Sequence, residues 1–579
     1  MIKKRSSIRR IILITISLGI FILGLYLGSI IAVLSLLNRS IQDHDLDQAA
    51  LRSKQILLLT NSLKKTSWYP LQLTRNASEL IITVNQIKQT SENIISHIID
   101  PQPNDQLEQD WNQFSQYYIR LTAQLRTINQ HIQAPEFANI LGWVGRKEQV
   151  RLIQAQAQQL LDTLITNQDI INIMPQITGL DNPKPVTYTI LLQNNMELRP
   201  TGGFMGSYVQ LTFNQGQMVG IEAQDIYVPD GAITGHVNPP EPIQKAFKQG
   251  WWRLRDSNWD PDFPTAVQAI RWFFEKGGVD VGQGVIAINL EVVEDILNHL
   301  GSIELTDYNQ QITSDNLYAV AQYEAERDFF AGSTQKRDFL QSLINSIFYQ
   351  NQSISFDQLH QIISSINQHL TQKNIQINVN NPQIQSVIEQ KHWDGKLVFK
   401  TQDNTTNDFF FSVDANLGAN KANCCIEKVV TQTVKEDPDD YQISSTITYT
   451  NHSPVPTPKP PKYWGGDYEN YTRIILPSNA ELTHIQVSNN DQIKREISIT
   501  NRDHLNLTEY GFFVLVPHNE TVVVDLEHII PKKQSSLTYQ NSILRQSGIA
   551  PYTHTVDFIT PQQILTKVLS MDQDHHIKF

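Results

Sequence analysis

Arginines and aspartates gathered in three short segments are the residues of this sequence best suited to chemistry. The first segment is NNMELRPTGGFMGS, Asn194 to Ser207, in which Arg199, a proline and two adjacent glycines follow the strand-like run TYTILLQ. Glycines let the backbone approach a ligand closely, and arginine offers a permanently charged planar fork, so anion sites are often built this way. A plain turn carrying a surface arginine has the same composition. In the second segment, WWRLRDSNWDPDF (251–263), Arg253, Arg255, Asp256, Asp260 and Asp262 are interleaved with Trp251, Trp252 and Trp259. The arginines suit a phosphate or carboxylate, the aspartates a divalent cation and the tryptophans a sugar ring. Buried tryptophans and local Arg–Asp pairs anchoring a surface loop would use the same residues. The third segment surrounds a loop from Phe329 to Thr334, with Arg327 and Asp328 before it and Lys336 and Arg337 opening the next helix. Cations oppose the positive end of a helix dipole, which a docked anion would relieve; a solvated face is the alternative.

These segments need a frame. Patterning predicts strands at Tyr188–Leu192, Tyr208–Phe213 and Met218–Val228, with Asn214-Gln215-Gly216 as a hairpin turn. A long loop (229–264) leads to a helix from Pro264 to Glu275, capped by Asp262 and stopped by Gly277-Gly278. A buried strand, Val285 to Leu290, runs into a helix ending at Gly301, and further helices are expected at 314–328, 335–350, 356–371 and 382–391. This order predicts an α/β domain over 185–392. Ahead of it, residues 39–180 repeat apolar residues at helical spacing, with breaks at Asp100-Pro-Gln-Pro and Ala134-Pro135, which predicts a helical bundle stalk.

From Lys396 the period becomes two. KLVFK, DFFFSV, YQISSTITYT, YTRIILP, GFFVLVP and ETVVVDLEHII predict an immunoglobulin-like β-sandwich over 396–560, with a tail at 561–579. PVPTPKPPK (454–462) reads as a stiff connector. Cys424 and Cys425 are adjacent; on a strand they would point to opposite faces, so no disulfide is expected between them.

Several pieces resemble the bacterial family known as domain of unknown function 4012: QNNMELRPTGGFMGSY (193–208), RDSNWDPDFP (255–264), GVIAINLEVVEDIL (284–297), QKRDFLQSL (335–343), DFFFSVDANLGANKAN (408–423) and NYTRIILP (470–477). More distantly, the order of parts is similar to the LytR-CpsA-Psr phosphotransferases, which transfer lipid-pyrophosphate-linked glycopolymers to cell-wall glycan. That likeness implies Arg199, Arg255, Arg327 and Arg337 around a pyrophosphate, and the residues of the second and third segments add Arg253, Trp259 and Lys336 as ligand-binding candidates. It also implies Mg²⁺ held by Asp225 with Asp256 or Asp262, with Asp225 and Asp256 in catalysis. The sequence departs from those enzymes at Thr201 and Gln224, where they usually carry an aspartate and an arginine.

Composition narrows the partners. The 579-residue chain is 40% hydrophobic and only 18% charged, with net charge −12, which argues against a nucleic-acid binder. A basic start (1–10) precedes an uncharged run from Ile11 to Leu37, longer than the roughly 20 residues needed to cross a bilayer. This predicts an uncleaved single-pass anchor with a cytoplasmic N-terminus and the bulk of the chain extracytoplasmic. Two functions follow as expectations. One is an envelope protein binding a polyprenyl-pyrophosphate-linked glycan or cell-wall polymer, with phosphotransfer as its activity; the other is a non-catalytic scaffold.

Overall fold

A computed structural model describes residues 45–64, 68–99, 106–135, 137, 147–326, 334–350, 355–454, 465–489, 496–533 and 538–579. The expected basic tail and anchor, Arg327, Asp328 and most of the proline-rich connector lie outside these residues. Among the described residues no helix is long and apolar enough to cross a membrane. The chain divides into two units, Met1–Asp181 and Asn182–Phe579.

The first unit is helical: Leu46–Leu59, Tyr69–Ile99, Leu107–Gln133 and Lys147–Ile177, each packed on the next. Its apolar cluster of Ile128, Ile132, Phe137 and Val150 is small, and Ser78 and Thr83 are buried too. Their hydroxyls donate to the carbonyls one turn back, Thr74 at 2.9 Å and Glu79 at 3.0 Å, so the burial of these two is satisfied by their own helix.

The second unit begins with β1 (Val186–Asn194), β2 (Phe204–Asn214) and β3 (Gln217–Asp225). Gln215 and Gly216 both take positive φ, 49° and 87°, the two-residue hairpin geometry that matches strand twist. β3 stops three residues short of the expected Val228, because Asp225 Oδ1 accepts the Tyr227 N–H at 2.8 Å and turns the chain into the short helix Tyr227–Ala232. The helix Phe263–Lys276 follows, capped by Asp262, and then β4 (Gly284–Asn289) and the helix Leu290–Leu300. A small hairpin, β5 (Ile303–Leu305) and β6 (Gln310–Ile312), precedes the helices Leu317–Glu326, Gln335–Asn345 and Phe356–Thr371. β7 (Ile375–Val379) completes a sheet of order β3-β2-β1-β4-β7, in which only β1 and β4 run parallel.

Alternation along β4 explains the layering. Val285 and Ala287 join the cluster around the helix Phe263–Lys276, whereas Ile286 and Ile288 pack with Val292, Ile366 and Leu370 on the other face.

The remaining strands are β8 (Thr405–Asn416), β9 (Ile426–Glu436), β10 (Asp440–Asn451), β11 (Tyr468–Pro477), β12 (Glu481–Val487), β13 (Ser498–Arg502), β14 (Leu507–Val516), β15 (Thr521–Pro531), β16 (Thr538–Leu544), β17 (Thr553–Ile559), β18 (Ile564–Ser570) and β19 (His575–Lys578). They form two six-stranded sheets, β12-β15-β10-β9-β17-β18 and β13-β14-β11-β8-β16-β19. Both contribute to one apolar core, with Val430, Ile443 and Val556 from the first and Ile474, Phe512 and Tyr539 from the second.

Three expectations are corrected here. KLVFK (396–400) is not a strand, and the tail beyond residue 560 supplies β18 and β19, held further by an Asp574–Lys373 ion pair at 2.7 Å. Cys424 and Cys425 do form a vicinal disulfide. They lie on the 3₁₀ turn Ala422–Cys425, so the opposite-face rule for strands does not apply to them.

Candidate functional site

The loop from Asn195 to Gly203 leaves β1 and returns as β2 at the edge of the sheet where β1 and β4 end. Asn194 faces Phe204, Gln193 faces Asn289, and Ser207 faces Asp225, so the ends of four strands meet here. Gly202 has φ 131°, and a Cβ there would come within 2.5 Å of both Asn289 Oδ1 and Gln193 Oε1. The close approach foreseen for this glycine is therefore made to the protein itself.

Much of the loop is docked on the β-rich region. The Leu198 N–H donates to Asn423 Oδ1 at 3.1 Å, Asn416 N–H to the Leu198 carbonyl at 2.9 Å, and Gln546 Nε2 to the Arg199 carbonyl at 3.1 Å. The segments NNMELRPTGG and DANLGANKAN thus meet in one interface. Arg199 is only 2% exposed. Its Nη2 lies 2.9 Å from Glu197 Oε1 and 3.5 Å from Asp256 Oδ1, and its Nη1 donates to the Asn416 carbonyl. It is a buried strut with Asp256 on one side and the β-rich region on the other.

The second segment is divided between packing and the sheet edge. Trp259 stacks on Tyr471 at 5.6 Å, and the Arg473 guanidinium sits 4.4 Å from its ring and donates to its carbonyl at 2.9 Å. Asp260 accepts from both terminal nitrogens of Arg502 at 3.1–3.3 Å, and Arg502 also holds Glu509 at 2.8 Å. Asp262 caps its helix by accepting from Thr265 N–H at 3.2 Å and Thr265 Oγ1 at 2.6 Å, while its other oxygen accepts the Leu397 N–H at 2.9 Å. Trp259 and Asp262 are taken up by structure, and Arg253 lies over the Trp251 ring, 5.0 Å from its centroid.

What remains at the edge is a charged cluster. Asp256, 6% exposed, has Arg199 behind it and Arg255 Nε at 3.8 Å. Arg255 Nη1 pairs with Asp230 Oδ2 at 2.7 Å, the guanidinium lies over Tyr227 at 5.0 Å, and the side chain keeps 21% exposure. Lys336, in the first turn of the helix Gln335–Asn345, donates its amine to the Gly206 carbonyl. A Cβ on residue 206 would sit 2.7 Å from that amine, so glycine makes the contact possible. Among the described residues no carboxylate forms an ion pair with Lys336. Burial therefore holds its amine below the usual lysine value, and Asp225 is the main influence pulling the other way. Burial likewise raises the Glu197 carboxyl against the opposing charges of Arg199 and Lys421, and raises the Tyr227 phenol against Arg255.

The structure thus brings Arg199, Arg255 and Asp256 into contact, with Asp225 and Lys336 close enough to act electrostatically. Arg337 does not join them; it is exposed and pairs with its neighbour Asp338 at 2.8 Å. Glu197, Tyr227, Asp230 and Gly206 complete the cluster without having been singled out in the sequence. Glu197, two residues before Arg199, carried a local signal, whereas Asp230 gained its role only when the loop folded back on Leu254 and Arg255.

The Mg²⁺ implied by the phosphotransferase likeness does not fit this arrangement. Asp262 commits both oxygens elsewhere, and among the described residues no three His, Cys, Asp or Glu side chains gather into a group that could hold a metal ion.

The sheet edge, loop 195–203 and the 251–263 segment all fall within one matched stretch. Residues 184–325 match the family described as protein of unknown function (DUF4012). The DUF4012 stretch therefore contains every residue of the charged cluster except Lys336, and its description names no activity. No curated protein matches the chain. Among solved structures, the M1 zinc metallopeptidase from Deinococcus radiodurans is similar at 10% identity with a TM-score of 0.15, over 25% of this chain and 39% of that one. A mutant of that peptidase bound to a Tyr-Ser-Ala substrate gives 9% identity and a TM-score of 0.15 over the same shares. The chain thus spans well under half of those peptidases, and a likeness of that score carries no argument about chemistry.

Proposed function

We propose that this chain is a membrane-anchored extracytoplasmic protein. It binds an anionic, pyrophosphate- or glycopolymer-type ligand of the cell envelope at the edge where β1 and β4 end, with residues of the DUF4012 stretch and Lys336 beyond it. The observation that carries the reading is Lys336, a half-buried side chain whose ammonium meets a carbonyl instead of a carboxylate; Asp225 acts on both this amine and Tyr227, whose ring the partly exposed Arg255 covers. An anion seated between Lys336 and Arg255 would supply the missing counter-charge and accept their remaining N–H groups. Arg199 would act from behind, by fixing Asp256 and hence the loop that carries Arg255. Phosphotransfer is a further step, for which Asp225 and Asp256 are the carboxylates at hand.

A second reading, a non-catalytic envelope scaffold, is favoured by the number of Arg and Asp side chains that this region uses on itself, Arg199, Asp260 and Asp262 foremost. Titration calorimetry of the full chain with inorganic pyrophosphate and a short-chain prenyl pyrophosphate separates the two. Binding of either supports the anion site; no heat from either at millimolar concentration leaves the scaffold.

A further inference from the structure

The loop that feeds the charged cluster has a second face. Glu197 and Arg199 belong to the cluster, whereas Asn195, Met196 and Leu198 line a cavity of about 410 Å³ shared with the β-rich region. That volume falls in the range of small-molecule sites, roughly 300–1,000 Å³. Glu291, Lys428, Tyr449, Tyr552 and Cys424 of the vicinal disulfide also line it.

The polar groups define what fits. Lys428 lies 2.8 Å from Asp414 Oδ2 and 2.9 Å from Ser412 Oγ, between the rings of Tyr449 and Tyr552 at 5.4 and 5.2 Å, so its charge is already matched. Glu291 takes the Asn195 amide N–H on one oxygen. Its other oxygen, and the Asn195 Oδ1, are buried without a hydrogen-bond partner among the described residues, and Asn195 as a whole is only 5% exposed. An orphaned buried acceptor destabilises the fold unless a donor arrives. An anionic ligand would face Glu291 and Asp414, and a cationic one would find Asp414 already neutralised by Lys428 and Glu291 already accepting from Asn195. An uncharged ligand with several O–H donors and apolar ring faces meets both constraints, its hydroxyls reaching the orphaned oxygens and its C–H faces lying on the tyrosines and the disulfide.

We propose that this cavity binds an uncharged sugar unit, with Asn195 and Glu291 accepting its hydroxyls. Burial raises the Glu291 carboxyl above its usual value, a strain that a donated hydrogen bond relieves. The inference does not rest on the anion reading above, because no phosphate enters it.

The test is binding of glucose, N-acetylglucosamine and a disaccharide of each to the full chain, followed by saturation-transfer NMR. Two variants accompany it. Ala550→Trp places a large ring at an exposed position lining the cavity, and Glu291→Gln keeps shape while removing the carboxylate. At least one saccharide should bind at millimolar concentration, lose that binding in Ala550→Trp and weaken roughly tenfold in Glu291→Gln, about the worth of one hydrogen bond to a charged group. Thermal unfolding of Ala550→Trp at the wild-type temperature would show that the loss is local. The proposal is overturned if none of the saccharides binds, or if binding survives both variants unchanged. Binding of pyrophosphate is irrelevant to either outcome.

Discussion

Two clusters built from the same residue types sit a few residues apart in the chain and differ in how completely they are paired. Around Trp259, the cations Arg473 and Arg502 meet Asp260 and Glu509, two aromatic rings and a carbonyl, and little charge is left over. At the sheet edge, Arg255 keeps a solvent-facing side and Lys336 has a carbonyl where a carboxylate would be expected. Arg–Asp–Trp composition alone therefore says nothing about ligand binding. What separates a clamp from a site is whether the protein supplies the last counter-charge.

Variants can break or sharpen this contrast. The largest effect is expected from Arg199→Ala, which strands the buried Asp256 and Glu197 carboxylates and cuts the link to Asn416. Breaking such a buried pair costs about 3–5 kcal/mol, readable in urea unfolding of the full chain. A loss below about 1 kcal/mol would mean that Arg199 is no strut. Next comes Asp260→Ala, which removes the bidentate partner of Arg502 and should cost about 1.5–3 kcal/mol, with no change in pyrophosphate affinity.

At the open edge the pattern should invert. Lys336→Met is expected to shift stability by no more than about 1 kcal/mol, and upward because a charge without a carboxylate partner disappears, whereas Arg255→Ala also strands the buried Asp230 and should cost more. Each should weaken pyrophosphate binding tenfold or more, about 1.4 kcal/mol. A stability loss in Lys336→Met equal to that in Asp260→Ala would erase the distinction.

The smallest effect is a pH slope. The folded Lys336 amine lies below the ordinary lysine value of 10.5, so it sheds its proton earlier than an exposed lysine. Pyrophosphate affinity should decline as pH rises through that lowered value, while Arg255 stays charged. Without ligand the sign is opposite: the unfolded chain holds more protons in that window, so stability increases as pH rises toward 10.5. A flat affinity profile in wild type, or an unchanged slope in Lys336→Met, would remove Lys336 from the site.

Local patterns made much of the second unit legible. The strands near 188, 208 and 218, the Gln215-Gly216 turn, the Asp262 cap and the helix stop at Gly301 were all readable because short-range rules govern them. β5, β6, β7, β9, β12 and β13 were missed, as were the late strands β16 to β19. β16 pairs in parallel with β8 and β17 with β9, and partners more than a hundred residues apart leave no local trace. The disulfide was missed because a strand rule was applied to a turn.

By itself the sequence determined where charge and aromatic rings were concentrated, which segments would be strands and helices, and that an uncharged run long enough for a bilayer opens the chain. Only the tertiary structure decided which charges cancel. Arg199, Trp259 and Asp262 have the composition of ligand-binding residues yet are occupied by partners from distant segments, and Lys336 stands out only because folding sets its half-buried side chain against a glycine carbonyl. The reason is physical: pairing energies depend on distance and burial, and neither is encoded at the spacing of neighbouring residues.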